Sequence, residues 1–180
     1  MVEMTDDIVL AATSGDADAL AAVYSALPPR VLGYLRARGA DDPEGMTSEV
    51  FLHVLRRLGG LVGGADGLRT FVFSVAHARL VDEVRRRARR PAETPYFPER
   101  DDRWAPSAEH AALDGAAPLT ELLDRLNDDQ RSVITLRVLG DLSIEQTADV
   151  LGKTTGAVKQ LQRRGLLTLR SMVERGGVTS

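Results

Sequence analysis

Apolar residues recur along this chain at helical rather than strand spacing. From Asp16 to Arg38 they fall at Leu20, Val23, Tyr24, Leu27, Val31, Tyr34 and Leu35, the three-and-four alternation of one helix face. Pro28-Pro29 interrupts this run and predicts a kink or a helix restart, and Gly39 suits a helix end. A second helix is expected from about Thr47, whose hydroxyl can cap it, through Val50, Phe51, Val54, Leu55 and Leu58. Gly59 to Gly64 reads as an apolar break. A third helix is expected from about Leu68 to Arg89, with Phe71, Val72, Val75, Leu80 and Val84 as its stripe and Pro91 stopping it.

The texture changes between Pro91 and Pro118. Four further prolines (Pro95, Pro98, Pro106, Pro118) and mixed charge around Glu99–Arg103 replace the periodicity. This stretch reads as an interdomain linker, with a short helix around Ala108–Leu113 and with Trp104 docking on a neighbour. Helical patterning resumes at Leu119. Asn127 with Gln130, and Ser143 with Gln146, have the spacing of capping boxes. One helix ends at Gly140, another runs through Leu151, and a last runs from about Thr155 to Val173. No strand pattern and no internal repeat is visible. The expectation is an all-α chain of two small helical domains joined by a flexible linker, with boundaries at 1–90, 91–118 and 119–180.

Ile144 to Arg163 satisfies a helix-turn-helix at its constrained points. Ala148 is small where two helices cross, Gly152 supplies a positive φ four residues later, and Leu151, Val158 and Leu161 can close a small core. A plain helical hairpin is the competing interpretation. On the second helix Lys159, Gln160, Gln162, Arg163 and Arg164 are expected to point outward. No acidic residue occurs from Lys153 to Arg170, so a merely solvated face fits this one-signed helix less well than a phosphate- and base-reading one.

Composition narrows the function. The net charge of −3 over 180 residues argues against a general nucleic-acid coat. Yet positive charge is concentrated at the last helix and at Arg85–Arg90, where five of six residues are arginine. Those arginines could simply close a helix, but they exceed what a helix end needs and suit a phosphate backbone. No cysteine is present, which excludes disulfides, a thiol nucleophile and Cys-ligated zinc. The three histidines, His53, His77 and His110, show no metal-ligand spacing, and no phosphate loop or nucleophile motif occurs. Neither an enzyme, a cofactor nor a metal is expected. Apolar runs stay short of the roughly 18 residues a membrane span needs, and the acidic start lacks a signal-peptide pattern. A cytoplasmic protein without membrane insertion and without a small-molecule substrate is expected.

Four segments, taken in order, resemble the sigma-70 family of RNA polymerase sigma factors, in its extracytoplasmic-function (ECF) group. Pro43–Val54 resembles "AEDLTQEVFLRVW", Phe71–Arg87 resembles "WLYRIARNLLIDYLRRR", Leu126–Val133 resembles "LPERQREV", and Leu142–Arg170 resembles "LSYEEIAEILGISVGTVKSRLHRALKRLR". The resemblance implies that the helix carrying Thr47, Glu49, Val50, Leu52, His53 and Arg56 binds the clamp helices of the polymerase β′ subunit. It implies that Val62, Leu68, Phe71, Ala78, Arg79, Arg85, Arg86, Arg87, Arg89 and Arg90 engage the minus-10 element, the glycine-rich loop forming the pocket for a flipped base. Thr154, Thr155, Lys159, Gln160, Gln162, Arg163 and Arg164 are then the minus-35 readers. Core RNA polymerase, through β′ and the β flap, promoter DNA and an anti-sigma factor are the implied partners. The chain departs from the family pattern at Gly45 (Asp), Phe71 (Trp), Ala78 (Asn) and Lys153 (an aliphatic residue). A stand-alone helix-turn-helix regulator is the competing reading.

Overall fold

A computed structural model describes residues 4–89 and 121–176, with side chains as far as Glu174. Among these residues the secondary structure is helical throughout, without a strand. The expected linker at 91–118, its short helix and Trp104 lie outside the described residues.

The first group comprises α1 (Asp6–Thr13), α2 (Ala17–Ala26), α3 (Pro28–Ala37), α4 (Pro43–Arg57), a 3-10 turn (Leu58–Gly60) and α5 (Gly64–Arg89). The second comprises a helical turn at 121–124, α6 (Asp128–Val138), α7 (Ile144–Leu151) and α8 (Thr155–Gly176). Pro28 and Pro29 occupy the first turn of α3, so the chain restarts its helix there, where a missing N–H costs nothing.

Two helix starts differ from expectation. α4 begins at Pro43, capped by Asp42, which accepts from Gly45 N at 2.9 Å. Thr47 is already inside the helix and donates to the Pro43 carbonyl at 2.7 Å. The Gly45 departure bears on the same cap, since a Cβ at 45 would run into the Asp42 carboxylate. α5 begins four residues earlier than its apolar stripe, because Asp6 Oδ1 accepts from Ala65 N at 2.8 Å. A helix N-terminus has unpaired N–H groups, and here the acceptor comes from α1.

Leu35, Val50, Phe51, Leu68, Val72 and Phe73 form the centre of the first group. Tyr34 and Phe73 meet edge to face at 5.7 Å. In the second group, Val133, Ala148 and Val158 form a small core with Ile144, Leu151 and Leu161 at its edge, while Leu123, Leu126 and Ile134 pack with Leu169. α8 crosses α6 at Gly165, where a Cβ would lie 3.1 Å from Ile134 Cγ1. Leu136 and Leu142 turn away from this core and join the cluster around Phe73, so the two groups pack against each other.

Candidate nucleic-acid interface

The helix-turn-helix is built from its caps inward. Ser143 Oγ accepts from Gln146 N at 3.1 Å, while Gln146 Oε1 accepts from Ser143 N at 2.6 Å. Asn127 and Gln130 form the same reciprocal box at α6. Both boxes fix where a helix begins. Gly152 ends α7 with φ 61°, the left-handed conformation that an L side chain resists. Thr154 Oγ1 then accepts from Ala157 N at 3.2 Å and opens α8. Ala148 is buried where α8 crosses, against Val158. These contacts fix the axis of α8.

Thr154, Thr155, Lys159, Gln160, Arg163 and Arg164 all lie exposed along the start and outer side of α8. Lys159 and Arg163 are one helical turn apart and share a face. Gln162 differs from expectation. It is half-buried and accepts from Arg137 Nε at 3.2 Å, so it braces α8 against α6 rather than facing outward. Lys153, at the departing turn position, pairs with Asp129 at 3.2 Å. An apolar groove lined by Ile144, Leu166 and Leu167 runs beside Lys159, Arg163 and Arg170. Its leucines were not singled out by sequence reasoning.

The expected minus-10 residues divide. Val62 is 84% exposed on the loop before α5. Leu68 is 0% exposed and belongs to the core, so it cannot touch a base. Sequence spacing could not separate the two, because both flank the same glycine-rich turn. Phe71 is half-buried and stacks obliquely on His53, with ring centroids 6.1 Å apart. Together with Arg56, Val62 and Thr70 it lines an open cleft. Ala78, Arg79, Arg85, Arg86 and Arg89 are exposed on α5. Arg79 pairs with Glu49 at 3.3 Å and Arg85 with Asp82 at 3.8 Å. Arg87 is drawn onto Asp41 at 2.7 Å and Glu83 at 3.6 Å. Arg86 and Arg89 are exposed and make no ion pair with a described residue. Arg90 lies outside the described residues.

On α4, two expected contacts prove internal. Val50 is 0% exposed and Thr47 is 9% exposed. Their positions face α3 and α5, which the apolar stripe of α4 must cover. The outward face instead carries Ser48, Glu49, Leu52, Leu55 and Arg56, with Leu52 57% exposed. Leu55, one of the apolar residues that recur along this helix, is 41% exposed. An exposed leucine pair one turn apart is a surface suited to a protein rather than to DNA.

Tyr34 Oη and His77 Nδ1 are hydrogen-bonded at 2.9 Å beneath this surface. Burial, and then the neighbouring Arg38 cation, hold His77 below its ordinary pKa. Burial likewise pushes the Tyr34 hydroxyl upward. His77 thereby ties α5 to α3 through the Tyr34 hydroxyl. Among the described residues no group of three or more His, Cys, Asp or Glu is placed to hold a metal. No described helix is long and apolar enough to cross a membrane.

Comparison with known proteins agrees with this geometry. Residues 122–171 match the family Sigma-70, region 4. The chain is 34% identical to the ECF RNA polymerase sigma factor SigD of Mycobacterium tuberculosis, covering 97% of this chain and 86% of SigD. It is 32% identical to the ECF RNA polymerase sigma factor ShbA of Streptomyces griseus, covering 93% and 94%. The fold superposes on CnrH, solved in complex with the cytosolic domain of CnrY, with a TM-score of 0.67, 18% identity and coverage of 94% and 97%. The chain belongs to the extracytoplasmic-function RNA polymerase sigma factors of the sigma-70 family.

Proposed function

We propose that the chain binds core RNA polymerase through the outer face of α4 and directs it to promoters by holding two DNA elements. Leu52, Leu55 and Arg56 dock on the clamp helices of β′, while the second group meets the β flap. Val62, Phe71 and the arginines of α5 hold the minus-10 element. Thr155, Lys159, Gln160, Arg163 and Arg164 enter the minus-35 major groove, where arginine and glutamine can read guanine and adenine edges. Regions 1–90 and 119–180 act as the two functional domains, joined by 91–118, in the cytoplasm. An anti-sigma factor is a further partner, as the resemblance to the extracytoplasmic-function group implies. The carrying observation is the rigidly capped helix-turn-helix whose second helix exposes cations of one sign.

Run-off transcription with core RNA polymerase on a pool of host promoters tests this reading. Specific initiation is expected, and it is expected to vanish when Lys159, Arg163 and Arg164 are all changed to Ala. DNA binding without polymerase, and no initiation on any promoter, would instead identify a stand-alone regulator.

A further inference from the structure

The loop that leads into α5 has few side chains with which to hold itself. Five of the nine residues from Gly59 to Gly67 are glycine. Glycine loses more conformational freedom on folding than any other residue, so one loop shape has to be imposed from outside. Gly63 and Gly64 both take positive φ, 92° and 58°. Leu61 N donates to the Leu58 carbonyl at 3.0 Å, and Gly67 N to the Gly63 carbonyl at 2.8 Å. Neither bond ties the loop to the body of the first group.

That tie comes from α1. Val9 and Ala12 bury this helix in the core, with Met4, Ile8 and Ala11 packed around them. From the helix so fixed, Asp6 Oδ1 accepts from Ala65 N at 2.8 Å, one of the N–H groups that a helix start cannot satisfy by itself. Gly64 permits the approach, because a Cβ there would run into the Asp6 carboxylate. Gly67 is equally confined, since a Cβ there would run into the Val62 carbonyl. At the other end of α1, the Thr13 carbonyl stands 3.9 Å from where a Cβ on Gly59 would lie. The two ends of α1 therefore bracket the loop at Gly59 and Gly64, and the exposed Val62 lies between those two positions in the chain.

We infer that Asp6 is a positioning residue for the minus-10 element. It touches no base, but by clamping the start of α5 it sets where Val62 stands relative to Phe71. Val62 precedes the clamped Ala65, Phe71 follows it by less than two helical turns, and both line one cleft. Without the Asp6 bond, two glycines of positive φ leave Val62 free to swing, while Phe71 stays with its helix. The inference rests on the reading of this loop as the holder of a flipped minus-10 base. Flipping costs unstacking energy, and contacts already in place recover more of it than contacts that must first be ordered.

Asp6→Ala and Asp6→Asn separate positioning from stabilisation alone. Alanine removes the acceptor and leaves the cap of α1, where Ile8 N donates to Thr5 Oγ1 at 3.4 Å. Asparagine keeps an acceptor oxygen. Val31→Ala, at a fully buried position of α3, lowers stability without touching the loop. Hydrogen exchange of the full chain is expected to quicken at the Ala65 amide in Asp6→Ala and to stay near the wild-type rate in Asp6→Asn. Holoenzyme made with each variant and core polymerase is then titrated with a fluorescent single strand carrying the minus-10 sequence of a promoter found by run-off transcription, and with its single-base variants. Asp6→Ala is expected to weaken the cognate strand about fivefold, the equivalent of a helix cap lost to alanine, and to narrow the preference among bases at the position the loop holds. Asp6→Asn should restore both, and Val31→Ala should lower the unfolding midpoint with the base preference intact. Unchanged exchange at Ala65 in Asp6→Ala, or an equal loss of base preference in Val31→Ala, would overturn the positioning role. Wild-type holoenzyme indifferent to the sequence of the strand, with the exchange pattern as expected, would instead overturn the minus-10 reading of the loop and leave only the clamp.

Discussion

At the scale of single residues, burial separates side chains that sequence spacing grouped together. Leu68 and Val62 flank the same loop, yet one lies in the core and the other in solvent. Leu68→Ala is expected to cost about 2–5 kcal/mol of stability in denaturant unfolding. Val62→Ala should leave stability within about 0.5 kcal/mol, while reducing open-complex formation. The same contrast holds on α4. Leu52→Asp should keep the unfolding midpoint and weaken polymerase binding, whereas Val50→Asp should unfold the chain by burying a charge. His77 carries the pH dependence. Its pKa is depressed in the folded protein, so the unfolded chain takes up a proton more readily. The resulting stability is present above the ordinary histidine value, near 6.5. It is lost as pH falls from there through the depressed value. Thermal midpoints measured from pH 7.5 to 5 should therefore decline, and His77→Gln should decline less over that window.

At the scale of elements, local chemistry was legible and distant chemistry was not. Asn127 with Gln130 and Ser143 with Gln146 signal their helix starts within four residues, and both boxes form. Gly152 and Ala148 announce the helix-turn-helix because its steric demands are local. Three features escaped sequence reasoning. α1 went unread because its acidic start resembles a tail, although Thr5 caps it and Val9 and Ala12 are buried. The true start of α5 depends on Asp6, an acceptor 59 residues away, which no local pattern reveals. The inner and outer faces of α4 were mixed because Leu55 and Thr47 sit at the border of its apolar stripe, where a hydroxyl can be internal by bonding a carbonyl one turn back. Ser143→Ala should cost about 1 kcal/mol, and Gly152→Ala about 1–2 kcal/mol through its positive φ. Both are measurable as lowered denaturation midpoints with minus-35 affinity reduced in parallel.

At the scale of the whole molecule, charge is sorted rather than averaged. A net −3 chain presents its cations on α8 and the end of α5. On the proposed reading Lys159 meets a phosphate, and Lys159→Ala is expected to lower the slope of log affinity against log salt by about one, equally on all sequences. Arg163→Ala should also relax preference among bases. The crossing at Gly165 gives this recognition surface one further property. α8 rests directly on Ile134 and Gln130 there, so this crossing, together with the packing of Val158 against Ala148, sets the bearing of the outward side chains on α8. On the proposed reading, promoter preference is expected to be retunable from behind, without altering any of the outward side chains. A bulkier residue at 165 would tilt the whole reading edge like a shimmed blade, shifting the register of all its contacts in concert.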